Sequence, residues 1–417
     1  MAVAHSPSFA LSGIPLEFIF FAAVLMTIAV VPRMAGRAAA AGALGISFYK
    51  AICSPFDEGA GAAGLVAHGV REWVGLANLL ALLLGFAMLA QHFENSRAAH
   101  AMRRALGSGP AVGFVLLVGV FVLASFLDNI AAAMIGGTVA RSVFRGKVHV
   151  GYLAAIVAAS NAGGSGSVIG DTTTTMMWLA GVSPAEVFTA YVAAATALLV
   201  VALPASLQQQ RYAPAMPLDE EAHPVDWASV LVVGFVLLLA IGANLLINLE
   251  FAGWSGVFPF LGLSIWLALL IATPVRRPDW LALPGVLRNA AFLLALVWCA
   301  SMMPVQALPA ASWPSTFAAG FVSAVFDNIP LTALALKQGG YDWGYLAYAV
   351  GFGGSLLWFG SSAGVALAGM FPEARSARAW LTQGWHVTLG YVVGFFVMLW
   401  LLGWQASSQS VALSLSQ

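Results

Sequence analysis

The chain has 417 residues, 61% of them hydrophobic and only 8% charged, and its formal net charge is zero. Soluble domains carry roughly 25% charged residues, so this composition excludes a soluble globule and predicts an all-α polytopic membrane protein. The balanced charge leaves no basic footprint for nucleic acid.

A transmembrane helix needs about 20 apolar residues, or somewhat fewer if its ends snorkel. The chain up to Ile14 holds no Lys or Arg, so the basic start of a cleaved signal peptide is missing, and Ile14 to Val31 is expected to stay as a helix. Pro32 stops it, and Arg33 and Arg37 follow. Ala38 to Cys53 is the next run, with Lys50 expected to snorkel to the nearer interface. Phe56 to Glu72 reads as a Gly- and Ala-rich loop holding Asp57, Glu58 and Arg71. Trp73 to Gln91 spans again, and Arg97, Arg103 and Arg104 suit a short interfacial helix. Cys53 and Cys299 lie in apolar runs and are expected to be small core residues, not a bridge.

Ala111 to Leu127 is apolar and runs into Asp128-Asn129. The return run, Ile130 to Val143, is too short to cross at about 1.5 Å per residue. Arg141, Arg145 and Lys147 stop it. A full span plus a short one competes with a hairpin that enters and leaves on one face. The hairpin is preferred, because the return arm is short and the tip polar. Such backbone is tolerated only where protein or a water-filled cavity covers it.

Gly151 to Ser160 resumes a helix that is expected to break at Asn161-Ala162-Gly163-Gly164-Ser165-Gly166-Ser167. Each glycine costs a helix about 1 kcal/mol against Ala. Gly170-Asp171-Thr172-Thr173-Thr174-Thr175 lies beyond, and Pro184 closes the segment. Glu186 to Pro204 spans, and residues 205–226 form a polar linker, placed in the cytoplasm. The second half repeats the plan. Val230 to Leu249, Phe258 to Ala272 and Ala290 to Met303 span, with Arg276, Arg277 and Arg288 in the connections. Phe317 to Phe326 leads to Asp327-Asn328, and Leu331 to Lys337 is the short return arm. Tyr345 to Val350 restarts a helix that is expected to break at Gly351-Phe352-Gly353-Gly354-Ser355. Gly360-Ser361-Ser362, Pro372 and a last span from His386 to Leu402 follow.

The two halves match in order. Gly163-Gly164-Ser165 falls on Gly353-Gly354-Ser355, and Gly170-Asp171-Thr172 falls on Gly360-Ser361-Ser362, both at an offset of 190. The Asp-Asn pairs are offset by 199. Residues 15–204 and 227–404 therefore read as two repeats, each of five transmembrane helices, one broken, plus a re-entrant hairpin. Placing Arg33 and Arg37 in the cytoplasm puts most Lys and Arg on that side. An odd number of crossings per half then inverts the second repeat and leaves both termini outside, in the periplasm. Inverted repeats whose broken helices meet at midplane are the architecture of secondary transporters.

An acid in hydrocarbon is costly and is a functional candidate by default. Asp128 and Asp327 are expected to bind a cation and to exchange protons, against the plainer role of capping a short helix. Asp171 carries the same two readings, and sodium is expected at all three. Asn129, Asn328 and Asn161 would supply amide oxygens or hold the tips. Thr172, Thr173, Ser361 and Ser362 would supply hydroxyl ligands or bond their own helix backbone. Gly163, Gly164, Gly353 and Gly354 suit close packing and unwinding. Unwound carbonyls and carboxylates fit a hard cation, which prefers oxygen. No Lys or Arg lies beside either Asp-Asn pair or either glycine break, which disfavours a dianion. No cofactor is expected; sodium and protons are substrates. The seven histidines show no metal-ligand spacing, and His149 and His386 read as interface residues. An intramembrane aspartyl protease would need both acids on one scissile bond, so an enzyme is not expected. A passive channel stays open.

At Phe126-Leu127-Asp128-Asn129-Ile130, Asn161-Ala162-Gly163-Gly164, Gly170-Asp171-Thr172-Thr173-Thr174, Asp327-Asn328-Ile329-Pro330 and Gly360-Ser361-Ser362-Ala363-Gly364-Val365-Ala366 the sequence resembles the ion transporter superfamily. The resemblance is specifically to NhaD-type sodium/proton antiporters, with arsenite-permease and citrate-transporter relatives, and covers roughly residues 15 to 404. It implies a scaffold and a mobile transport domain that each draw on both repeats, an elevator-like motion, homodimers and the bacterial inner membrane. Dicarboxylate carriers of the superfamily carry Ser-Asn-Thr at both hairpin tips; here Asp-Asn-Ile stands at both, which favours a cation. The leading expectation is exchange of sodium, or lithium, for protons. The alternative is a sodium- or proton-coupled carrier of an anion such as citrate, another dicarboxylate or arsenite.

Overall fold

The computed structural model describes residues 10–11, 14–31, 34–96, 109–215, 225–250, 257–326 and 328–407. Arg33, Arg97, Arg103, Arg104, Asp327 and residues 216–224 of the expected linker lie outside the described residues. A two-residue ladder, Ala10–Leu11 with Ile14–Pro15, precedes an all-helical chain. The helices are α1 Leu16–Val30, α2 Ala35–Cys53, α3 Gly61–Asn95, α4 Val112–Ala124, α5 Asn129–Val143, α6 Val150–Ser165, α7 Thr172–Leu179, α8 Pro184–Phe188 and α9 Ala190–Tyr212. They continue as α10 Trp227–Glu250, α11 Phe260–Ala272, α12 Leu283–Ser301, α13 Trp313–Ser323, α14 Asn328–Gln338, α15 Trp343–Gly353, α16 Ser362–Met370, α17 Ala377–Gln383 and α18 Trp385–Leu402. Among the described residues four stretches are long and apolar enough to cross a membrane: Gly61–Leu89, Pro184–Tyr212, Leu283–Ser301 and Trp385–Leu402. The chain is a multi-pass membrane protein.

Several local expectations are corrected or refined. The loop expected over Phe56 to Glu72 ends early, because α3 already starts at Gly61. Its polar residues do not force a loop: His68 and Arg71 both reach back to Glu58. The breaks expected over 161–167 and 351–355 do fall there, late in each stretch: α6 runs to Ser165 and α15 to Gly353. A Cβ on Gly163 would strike the Phe121 carbonyl, and one on Gly353 the Gly320 carbonyl. These glycines serve close packing inside intact helix; the chain leaves the helix only after them. The expected linker is shortened, since α9 passes through Pro204 to Tyr212. Gln209 is buried there, accepting from the His149 amide and donating to the Lys147 and Ala213 carbonyls. Finally, Lys50 does not snorkel: it is buried, and its Nζ donates to Met302 O at 3.1 Å. Arg288 lies inside α12, not in a connection, and Cys53 is exposed while Cys299 is buried.

Two groups of helices emerge from the packing. In one, α1 packs on α2, α2 on α12, and α3 on α10, α11 and α12. In the other, α4 to α9 pack among themselves and with α13 to α18, through pairs such as α9 with α18, α5 with α16 and α6 with α15. The groups meet where α12 touches α14 and α3 touches α7. At the centre of the second group, α6 is buried from Gly151 to Ser165 and α15 from Trp343 to Gly353. Both are small or apolar all round, the pattern of a helix with no solvent face. Rings lock the second: Tyr391 stacks on Tyr348 and on Phe317, with centroids 5.7 and 5.4 Å apart.

Candidate functional site

The two buried helices end in matching turns. After α6 the chain turns to Asp171, which is extended (φ −143°, ψ 144°) and caps α7: its Oδ1 accepts from the Thr173 amide at 3.0 Å. After α15 it turns to Ser361, also extended (φ −140°, ψ 153°), whose Oγ accepts from the Gly364 amide at 3.2 Å at the start of α16. The caps stand at the same place in the matched segments, and Asp and Ser are favoured there because each offers an oxygen to an orphan amide. The tight turns repeat too. A Cβ on Gly164 would meet the Gly170 carbonyl, and one on Gly354 the Gly360 carbonyl.

The other two helix starts point at the same region. Asn129 is the first residue of α5 and Asn328 the first of α14. Asp128 occupies the capping position of α5 but makes no capping hydrogen bond with its side chain, and it is half-buried. It lies within electrostatic range of Asp171.

Asp171 is the hub. It is 3% exposed, and its Oδ2 accepts from Asn129 Nδ2 at 3.1 Å and from Asn328 Nδ2 at 3.4 Å. Asn129 Nδ2 also donates to Asn161 Oδ1 at 3.1 Å. Asn161 Nδ2 in turn donates to Ser355 Oγ at 2.9 Å and to Ser361 Oγ at 3.2 Å. One network therefore joins residues from both halves of the sequence. Thr173 is fully buried and its Oγ1 has no hydrogen-bond partner among the described residues, an unusual state for a buried hydroxyl. Thr172 and Ser362, the first residues of α7 and α16, are half-buried. Thr174 and Thr175 bond backbone carbonyls instead, Thr174 at Ser167 O and Thr175 at Val168 O.

Sequence reasoning thus named Asn129, Asn161, Asp171, Asn328 and Ser361, which the fold brings together. It missed Ser355. The signal was present, since Ser165 and Ser355 close the matched Gly-Gly-Ser triplets. Of the hinge candidates, Gly163 and Gly164 are helical, Gly353 ends α15 and Gly354 follows it. Among the described residues, the donors that build the network are the amides of Asn129, Asn161 and Asn328 and the backbone N–H groups of Thr173 and Gly364. Carboxylate, amide and hydroxyl oxygens are hard donors of the kind that small cations take.

No family model matches the chain. It is 29% identical to sodium/proton antiporter 1 of Arabidopsis thaliana over 298 residues, 62% of this chain and 50% of that protein. It is 28% identical to sodium/proton antiporter 2 of the same plant over 307 residues, 62% of this chain and 69% of that protein. It is 28% identical to the Na(+)/H(+) antiporter NhaD of Vibrio cholerae over 326 residues, 67% of this chain and 68% of that protein. The likeness is to NhaD-type sodium/proton antiporters. The matched stretch of the chain spans half the length of the first plant protein. The NhaD-type names are those of transporters, not of enzymes.

Proposed function

We propose that the chain exchanges sodium, or lithium, for protons across the bacterial inner membrane, and that Asp171 is the carboxylate on which the two ions compete. One observation carries this. A buried carboxylate receives amides from both halves of the chain. Neutral amides can rotate and offer oxygen instead of N–H, so the same residues serve the carboxylate when sodium is absent and the ion when it is present. Thr173 Oγ1, now without a partner, supplies a further ligand. Asp128 and Asp327 add carboxylate oxygens at the hairpin tips, with Thr172 and Ser362 at the helix starts. A group that holds either a proton or a sodium ion, but not both, couples the two fluxes. A site for citrate or another anion would be built on positive charge, whereas the side-chain donors described in this network are neutral amides.

The helix groups fit a moving carrier. The scaffold is α1 to α3 with α10 to α12, and the transport part is α4 to α9 with α13 to α18; each draws on both halves. The repeated caps at Asp171 and Ser361 support a duplicated unit; its inversion, the re-entrant hairpins and both termini outside belong to the proposal and rest on the sequence pattern. Homodimers rest on the family likeness. Everted vesicles loaded with a pH-sensitive dye test the reading. Sodium or lithium is expected to dissipate the proton gradient, and Asp128→Asn and Asp327→Asn to abolish that response in folded protein. A response to citrate or arsenite alone would establish the anion carrier instead. Sodium flux indifferent to the proton gradient would mean a channel.

A further inference from the structure

Three consecutive carbonyls at the end of α12, those of Ser301, Met302 and Met303, are held by two lysines. The last carbonyls of a helix have no partner within it. Lys50 Nζ donates to Met302 O at 3.1 Å. Lys337 Nζ donates to Ser301 O at 2.6 Å and to Met303 O at 2.7 Å. The two lysines differ in origin. Lys50 sits on α2, in the same helix group as α12, whereas Lys337 sits in the last turn of α14, in the other group.

Lys337 has a third partner, Asp57 Oδ2, at 3.1 Å. An ammonium has three donors, so these oxygens satisfy it. Asp57 stands in the turn between α2 and α3, and that turn is pinned. Phe56 and Gly59 exchange backbone hydrogen bonds of 2.8 and 3.1 Å. Glu58 accepts from Arg71 at 2.6 Å and meets His68 Nδ1 at 3.1 Å. His68 Nε2 meets Ser301 Oγ at 2.9 Å. The turn is thus bolted to α3 and α12, and its remaining acid, Asp57, reaches across to the other group.

Beside this cluster lies a cavity of ≈ 120 Å³, with Met176 and Leu179 of α7 and Ala333 and Leu336 of α14 in its wall. Those helices start at the candidate site: Asp171 caps α7, and Asn328 opens α14. At about 1.5 Å per residue the cavity lies roughly 10 Å along α7 from Asp171.

We propose that Lys337 is a latch across the boundary between the two helix groups. Seated on Ser301 O, Met303 O and Asp57, it holds α14 against α12 and keeps the cavity closed off from the site. Released, it lets the α14 arm move away from the pinned turn and opens a path along α7 to Asp171. The path serves the ion exchange proposed above and rests on that reading; the latch itself does not.

The test uses accessibility. Met176→Cys is made in the full chain with Cys53→Ser and Cys299→Ala, and the purified protein is labelled with a water-soluble maleimide. Labelling is expected to be slow with Lys337 present and about tenfold faster or more in Lys337→Gln, because the lost hydrogen bonds are charge-assisted. Asp57→Asn leaves both carbonyl contacts in place and is expected to give a smaller increase. Lys337→Arg is expected to restore slow labelling. Equal rates in the parent, Lys337→Gln and Asp57→Asn would overturn the latch. If Lys337→Gln is not recovered folded, Asp57→Asn decides the matter alone. Sodium-driven dequenching by the same proteins separates the two ideas. Rates that respond to the variants in a chain without exchange would sink the exchanger and keep the latch. Exchange with unresponsive rates would do the reverse.

Discussion

Asp171 does two things at once, and a single substitution separates them. It caps α7 through Oδ1 and gathers Asn129 and Asn328 at Oδ2. Asn is as good a cap as Asp, so Asp171→Asn keeps the helix start and removes the charge. The variant is expected to fold with an unchanged melting temperature and to show no sodium-driven proton flux. Thr173→Val removes the unpartnered hydroxyl at nearly constant volume. It is expected to raise the sodium concentration for half-maximal response about tenfold, or about 1.4 kcal/mol, with Thr173→Ser near wild type. His149 gives a pH signature. Its Nδ1 accepts from the Gly151 amide, and burial pushes its imidazole below the usual histidine range. The folded state thus disfavours the proton that the unfolded chain takes up near pH 6.5. This contribution to stability is present above that pH and lost as pH falls through it. The fall in melting temperature between pH 7.5 and 5.5 is expected to shrink in His149→Asn, whose cap does not titrate. At this scale much was legible, because an acid or amide in an apolar run stands out. The convergence of the Asn129 and Asn328 amides on Asp171 was not, because only tertiary contact reveals it.

Glycine marked the stretches where the two central helices end, but not the residue at which they do. Asn161-Ala162-Gly163-Gly164 looks like a break by propensity, since each glycine costs about 1 kcal/mol in a helix. The helix persists because the glycines let the Phe121 and Gly320 carbonyls pass close by. Gly163→Ala and Gly353→Ala are expected to destabilise the fold by about 1–3 kcal/mol each through overpacking. Gly234→Ala, in α10 with nothing within 4 Å, is the control and is expected to be neutral or stabilising by up to about 1 kcal/mol. Thermal melts of the three variants check this. The same blindness to partners placed a loop over residues 61–72 and a linker over 205–212. Polar residues suggested water there, but Glu58 and the His149 and Lys147 backbones take them up.

Across the whole molecule, the order of segments and the match between halves were visible in the sequence, whereas the grouping of helices was not. It takes members from both halves, and no local pattern encodes it. Lys50 and Lys337 show why: each stands near the end of its own segment, and each caps α12 from a different helix. The central claim is that sodium and protons compete for Asp171 at the junction of the halves. Adding sodium to purified protein in weakly buffered solution, with a pH electrode or dye, tests it most directly. The account expects sodium to release protons from the wild type and none from folded Asp171→Asn. Sodium binding without proton release, or equal release from Asp171→Asn, would contradict it.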